Sequence, residues 1–492
     1  MSFQAAAVDL GATSGRVILG EVAPDRLVTH EVARFSNAGV RILEALHWDV
    51  LGLYANVLGG LREAGRLGSL ASIGIDTWAV DFGLLGHDGR LLGNPHHYRD
   101  ERFAAVVEDV HAQVPAAELY RRTGIQHLPF NTVFQLAAAR RRGELDDAAQ
   151  LLLIPDLLSY FLTGERAAEE TNASTTALLG VDGRWDAGLC ASLDLPESVL
   201  APLAAPGSTS APLLPAVMAE TALAAECQVT TVASHDTASA VVAVPATSER
   251  FAYISSGTWS LVGLELAAPV LSEESRAANF TNERGVDGTV RFLRNVAGFY
   301  LLEECRRLWA LRGLHATVVD LVAHAARLPV RRCLIDVDDP GLDARDVPAA
   351  IAAACRRAGE PLPESPAEIT RCLFDSIAAA YARTLAEACA LADSSVDVVH
   401  LVGGGAQSEL LAQLTADACD RPVVAGPVEA AAIGNLLVQA RTHGVLGPDR
   451  ADLRRLVAGA VPTRCHLPRP EEARRWRTAL ARLASARASA AR

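Results

Sequence analysis

Asp9 stands just before a short glycine turn, Gly11-Ala12-Thr13-Ser14-Gly15, that Arg16 closes. Apolar residues lead in (Ala5 to Val8) and out (Val17, Ile18, Leu19), so the segment reads as strand, tight turn, strand. Two glycines let a ligand approach the backbone, and successive N–H groups can converge on an anion. Thr13 and Ser14 add hydroxyl donors, Arg16 adds a cation, and Asp9 adds a carboxylate where a phosphate-bound divalent ion would sit. An ordinary β-hairpin with a solvated aspartate is the alternative reading. The second half of the chain repeats the device: Phe251 to Ile254, then Ser255-Ser256-Gly257-Thr258, then Trp259 to Gly263. Two such turns, one per half, suggest a duplicated architecture that grips a nucleotide between two lobes.

Three further groups carry chemistry. His235-Asp236-Thr237 ends an apolar strand, Val229 to Ser234, and opens a small-residue helix. Asp236 there is either a helix N-cap or a general base that takes a proton from a hydroxyl as it attacks phosphorus. His235 is either an orienting group for a sugar hydroxyl or an interior histidine. Gly403-Gly404-Gly405-Ala406 opens a helix directly after a strand. Such a junction accepts a nucleotide, or it packs helix on strand tightly. The third glycine of a dinucleotide fingerprint is Ser408 here. The stretches Asp76 to Asp81 and Asn94 to Asp100 are rich in polar groups that suit a polyol, with Trp78 either stacking on a sugar or filling the core. No His/Cys group has metal-ligand spacing, and no Gly-x-Ser-x-Gly elbow occurs.

The elements that must hold these residues follow from periodicity. Residues 28–35 read as a third strand, and the spacing of Leu51, Tyr54, Leu58 and Leu61 as a helix closed by Gly65 and Gly68. Ser72 to Asp76 and Val80 to Leu85 read as strands, which fits an α/β sheet. Helices are expected over Thr132 to Arg142, Ala148 to Leu162, 216–226, Gly298 to Arg312, Ile369 to Ala392 and Ser408 to Cys419, and a strand over Val396 to Val402. Residues 339–348 and 359–366 read as loops, and the last 30 or so as a surface helix with a frayed tail. Pro245 to Arg250 marks the lobe boundary, giving lobes 1–245 and 246–492.

At 492 residues the chain exceeds what one core supports, and 50% hydrophobic residues can fill two. A formal net charge of −13 argues against a nucleic-acid partner. Every one of the 45 basic residues is Arg. The missing lysine excludes a P-loop, a protein-kinase site and Schiff-base chemistry. No signal peptide or bilayer-spanning stretch is evident, so a cytoplasmic location is expected. The nine cysteines stand singly, as free thiols do, although the fold can bring Cys355 and Cys372 together.

With those residues in hand the chain resembles the FGGY family of carbohydrate kinases. The matching stretches include VDLGATSGRVIL, SIGIDTWAVDFGLL, GNPHHYRD, ASHDTASAV, YISSGTWSLVG, FTNERG, LRNVAGFYLLEECRR, LVGGGAQSELL and AGPVEAAAIGN, and they run from residue 7 to about 435. The resemblance implies the actin-like, ribonuclease H-like duplicated two-lobe α/β fold, with a nucleotide cleft between the lobes. It implies ATP and Mg²⁺, and a small-molecule ketose, L-rhamnulose, phosphorylated at its 1-hydroxyl; L-fuculose or xylulose is the nearest alternative. By the family's pattern Asp236 is the proton acceptor. Ala12, Thr13, Ser14, Gly15, Arg16, Thr258, Glu303 and Gly404 hold ATP. Ala79, His235, Asp236, Thr237 and Asn295 contact the ketose, and Asp9 steadies the metal. Two positions depart from the pattern: Ala79 replaces a glycine, and Glu303 replaces a glutamine. No nucleic acid or membrane is expected as a partner, and the chain is expected to be a monomer or homodimer. An NAD-dependent oxidoreductase reading Gly403 to Gly405, and a non-catalytic sugar sensor on an actin-like fold, remain as other classes.

Overall fold

The computed structural model describes residues 3–330, 333–342 and 345–490, with side chains through residue 485. The chain packs into two units. One comprises Met1–Thr247, Glu265–Phe292 and Glu429–Val461; the other comprises Ser248–Leu264, Leu293–Val428 and Pro462–Arg492. Chain order alone suggests lobes 1–245 and 246–492. By packing, the segments 265–292 and 429–461 go with the first unit, because their side chains are partnered there.

In the first unit the hairpin of Phe3–Leu10 and Ser14–Ala23 forms as read, with Gly11 N–H donating to Ser14 O at 2.9 Å to tie the turn. Ser14–Ala23 then pairs with Arg26–Ser36. On its other side Phe3–Leu10 runs parallel to Ser72–Thr77, which in turn runs parallel to Gln228–Thr230. Parallel neighbours need crossovers, and the helix Val50–Leu67 supplies one. Asp49 caps it by accepting from Gly52 N–H, and Val50, Leu53, Val57, Leu61 and Ala64 form its buried stripe.

The helix Ala430–Thr442 lies against the same sheet. Gly434 allows this, since a Cβ there would overlap the carbonyl oxygen of Ser239 in the helix Asp236–Val242. Gly74 serves the same approach: a Cβ on it would collide with Asn435 Oδ1.

The second unit repeats the pattern. Its hairpin is Phe251–Ser256 with Trp259–Leu266, and Phe251–Ser256 runs parallel to Val398–Val402, itself parallel to Val423–Ala425. Each unit thus has a hairpin flanked by two parallel strands in the same order. This is the duplication expected of the actin-like fold. The long helix Pro366–Leu391 covers this unit. It begins with a capping box of Ser365 and Glu368 and a proline in its first turn.

Two readings need correction. Ala148 to Leu162 is not one helix: Ala148–Leu153 is a strand paired with Phe82–Gly86, and only Ile154–Thr163 is helical. The apolar run Leu151 to Ile154 gives no period to tell strand from helix, and Pro155 starts the helix late. The glycine run after Val398–Val402 leads into a 3₁₀ turn, Gly404–Gln407, before Ser408 caps the helix Glu409–Cys419. The C-terminal helix spans Pro470–Ala490, and the final residues of the expected tail lie outside the described residues. Among the described residues no helix is long and apolar enough to cross a membrane.

Candidate active site

The parallel strands of the first unit end side by side. Thr77 N–H donates to Ser234 O at 2.8 Å, and Trp78 N–H donates to Leu10 O at 3.1 Å. These ends carry Asp9, Asp76 and the segment entering Asp236, so strand register gathers three carboxylates at one sheet edge. Ligands of open α/β sheets bind at such carboxyl ends.

Asp9 is 4% exposed and faces Arg16 across the hairpin, with Arg16 Nε donating to Asp9 Oδ2 at 3.0 Å. Arg16 also pairs with Glu429. Asp76 lies behind Asp9. Its Oδ2 accepts from Asn435 Nδ2 at 2.7 Å, and its Oδ1 is buried with no hydrogen-bond partner. Burial, then the nearby charges of Asp9 and Asp236, push the Asp76 carboxyl well above the ordinary carboxylate range, outweighing Asn435 and Arg16. Asp236 is the accessible member, its side chain 31% exposed. Burial and Asp9 raise its carboxyl too, against the opposing pull of His235 and the bonds from Thr237. Thr237 N–H and Oγ1 both donate to Asp236 Oδ1, at 2.5 and 3.2 Å. Asp236 is therefore the first residue of its helix, and His235 takes the cap position.

His235 is locked from behind. Its Nε2 lies 3.4 Å from Asp236 Oδ1. Its Nδ1 lies 3.1 Å from Arg291 Nη2 and 3.3 Å from Glu283 Oε2. Arg291, fully buried, pairs with Glu283 at 2.9 Å and donates through Nε to Arg284 O at 3.0 Å. Burial opposes ionisation of Glu283, but Arg291 and His235 prevail and hold its carboxyl below the ordinary value. Arg291 at Nδ1 leaves the Nε2 side of the His235 ring facing Asp236.

Glu169 holds the same segment from the strand side. Its Oε2 accepts from Ser234 N–H at 2.9 Å, Ser234 Oγ at 2.7 Å and Thr171 Oγ1 at 2.6 Å. Sequence reasoning passed over Glu169, Glu283, Arg291 and Asn435. The FTNERG and AAAIGN stretches contain two of them, Glu283 and Asn435, but only folding shows which polar residue turns inward.

Ala79 is partly buried beside Val80, whose φ of +69° is a strained conformation for a β-branched residue. Val80 O accepts from Thr132 Oγ1 at 2.7 Å, which helps hold that geometry next to the site. Trp78 is core: its ring lies 4.0 Å from that of Trp48, and both indole N–H groups donate to Asp81. Burial drives the Asp81 carboxyl up to about 7 despite those donors and Gln135.

In the second unit the turn at Gly257 and Thr258 meets the glycine run. Gly257 N–H donates to Trp259 O at 2.9 Å, and Tyr300 N–H donates to Thr258 O at 3.3 Å. Gly403 adopts φ +80°, and a Cβ there would come within 2.9 Å of Ser256 O. A Cβ on Gly404 would touch only Ser256 O, at 4.0 Å, so the space above Gly404 is open to a ligand. Glu303 sits in the first turn of the helix Tyr300–Leu311, its side chain 52% exposed and paired with Arg306 at 2.6 Å. Its charge is therefore spent on solvent and Arg306. Asn295 lies on the strand Val290–Ala297, in the part from Leu293 onward that belongs to this unit. The first unit thus assembles Asp9, Ala12 to Arg16, Ala79 and His235 to Thr237, and the second unit assembles Thr258, Glu303 and Gly404.

Comparison with known proteins adds three findings. Residues 5–243 match the N-terminal domain model of the FGGY family of carbohydrate kinases, and residues 252–443 match its C-terminal domain model. The chain is 42% identical over 467 residues to a protein named rhamnulokinase from Bacteroides thetaiotaomicron, covering 94% of this chain and 95% of that one. It is 41% identical to one of the same name from Klebsiella pneumoniae, covering 94% of each. Among solved structures it superposes on a xylulose kinase from Lactobacillus acidophilus with a TM-score of 0.81 at 16% identity, covering 99% of this chain and 98% of that chain. A Plasmodium falciparum glycerol kinase crystallised with ADP superposes with a TM-score of 0.78 at 14% identity and the same coverage.

Proposed function

This chain belongs to the FGGY family of carbohydrate kinases, and we propose that it transfers the terminal phosphoryl group of ATP to the 1-hydroxyl of L-rhamnulose, giving L-rhamnulose 1-phosphate and ADP. The observation that carries the choice of sugar is identity of 40–42% over nearly the whole chain with proteins named for that substrate. The site chemistry supports it. Asp236 is an accessible carboxylate whose raised affinity for protons suits a base that must take one and return it.

In this reading the sugar's 1-hydroxyl oxygen attacks the γ-phosphorus of ATP. The new O–P bond forms as the bond from that phosphorus to the β–γ bridging oxygen breaks, and ADP leaves with the bonding pair. Asp236 accepts the hydroxyl proton and gives it up to solvent after product release. His235, held by Glu283 and Arg291, orients the ketose with Thr237, Asn295 and the backbone at Ala79. The N–H groups and hydroxyls of residues 12–15, with Arg16, bind the ATP phosphates, joined by Thr258 and Gly404. Little covalent work falls to the protein, so positioning supplies most of the acceleration.

The carboxylates fit a hard divalent cation. Asp76 Oδ1 is a buried oxygen without a donor, and the mutual repulsion of Asp9, Asp76 and Asp236 would be relieved by positive charge. Asp9 would hold Mg²⁺, with Asp76 behind it. Bound there with ATP, Mg²⁺ would supply positive charge against the phosphate oxygens and the departing ADP. We assign the reaction to the cytoplasm and to a monomer or homodimer.

The test is coupled detection of ADP with L-rhamnulose, L-fuculose, D-xylulose, L-ribulose and glycerol as acceptors. L-rhamnulose should give the highest kcat/KM. A higher value on any other acceptor would overturn the substrate assignment.

A further inference from the structure

Three cysteines far apart in sequence converge in the second unit. Cys333 precedes Leu334 and Ile335, a segment pinned by Ile335 N–H donating to Ser376 Oγ at 3.0 Å. Cys355 projects from the helix Val347–Ala358, and Cys372 from Pro366–Leu391. They are 3%, 0% and 1% exposed, and their three Sγ atoms lie within 4.8 Å of one another. Three thiolates bound to one zinc ion at about 2.3 Å each would have sulfurs close to this spacing. No Cys-x-x-Cys pattern announces the group, because each sulfur comes from a different element.

Two further features adjoin this group. Cys333 and Cys372 line a cavity of about 10 Å³, near the minimum that holds one water, together with Leu328, Pro361, Glu368 and Arg371. Arg371 is 3% exposed. Its Nε donates to Asp375 and its Nη1 to Ala325 O and Leu328 O, while its Nη2 is buried with no hydrogen-bond partner. A buried guanidinium N–H without an acceptor is costly, and inert apolar thiols leave it unexplained. A thiolate, or a water bound beside it, would satisfy it.

We propose that Cys333, Cys355 and Cys372 form a binding site for one thiophilic metal ion of the zinc class, with three sulfur ligands and a water in the adjoining cavity. As each S–metal bond forms, its thiol releases its proton to solvent, so binding is proton-coupled. None of these residues belongs to the sugar or nucleotide machinery, so the ion braces the second unit, tying a loop and two helices. The proposal stands whatever the preferred sugar.

The test uses the full chain, purified without oxygen, stripped with chelator and kept reduced with a phosphine. Zn²⁺ is titrated against a chromophoric competitor, and Cd²⁺ is followed by sulfur-to-metal charge-transfer absorption. One ion per chain should bind with proton release and a rise in Tm. Cys333→Ser and Cys372→Ser should each weaken binding at least about tenfold while phosphoryl-transfer turnover persists, which reports that the variants fold. If Cys372→Ser does not fold, Cys333→Ser and the unaltered chain decide. Three results overturn the proposal: no stoichiometric ion in the stripped chain, undiminished binding in Cys333→Ser, or a Cys355–Cys372 disulfide in protein isolated without oxygen.

Discussion

The buried pair behind His235 can be tested as a closed cycle. Glu283→Gln leaves the fully buried Arg291 guanidinium facing a neutral amide. Removing one partner of a buried ion pair costs about 3–5 kcal/mol. Arg291 keeps its bonds to Arg284 O and His235, so about 3 kcal/mol is expected for this variant. Arg291→Met strands Glu283 and should cost toward 5 kcal/mol. The double variant removes both charges, and its loss should fall short of the sum of the single losses by at least about 1 kcal/mol.

Denaturant unfolding of the four proteins measures that coupling. Its pH dependence gives a second reading. Glu283 is held below its ordinary value of 4.5, so its contribution is full above that pH and is lost as pH falls through the lowered value. Glu283→Gln should flatten this acid segment of the stability curve. The same variant should raise KM for the ketose more than it lowers kcat, because His235 loses its orientation while Asp236 remains. Additive losses to within about 0.5 kcal/mol, or an unchanged ketose KM, would refute a role for the pair in holding His235.

Further outcomes follow from the same geometry. Asp236→Asn should lower kcat by about 10²–10⁴ and leave ATP affinity within a few fold by equilibrium binding. Because Asp236 must be ionised to act and burial raises its carboxyl, the acid limb of kcat/KM should lie above the ordinary aspartate value of 3.8, measured as a pH–rate profile. Gly434→Ala forces a methyl against Ser239 O and should cost about 1–3 kcal/mol, seen as a lower Tm. Glu303→Gln should change ATP affinity by no more than about 0.5 kcal/mol, since Arg306 already takes up that charge at the surface.

Local chemistry makes part of this protein legible without any structure. The two glycine–hydroxyl turns, the strands around them and the helix opening at Asp236 all depend on residues within a few positions of one another. Backbone preference and hydrophobic period act on that scale. Where the period vanished, as in Ala148–Leu153, the reading failed, because a buried strand and a buried helix are equally apolar. The support of the site lies beyond that scale altogether. Asn435 reaches Asp76 from 359 residues away, Arg291 reaches His235 from 56, and the three inner thiols arrive on three different elements. A carboxylate, a guanidinium or a thiol looks the same in a sequence whether it faces water or the interior. Only packing decides which of them lose their solvent, and a group without solvent must take its partners from whatever the fold brings near.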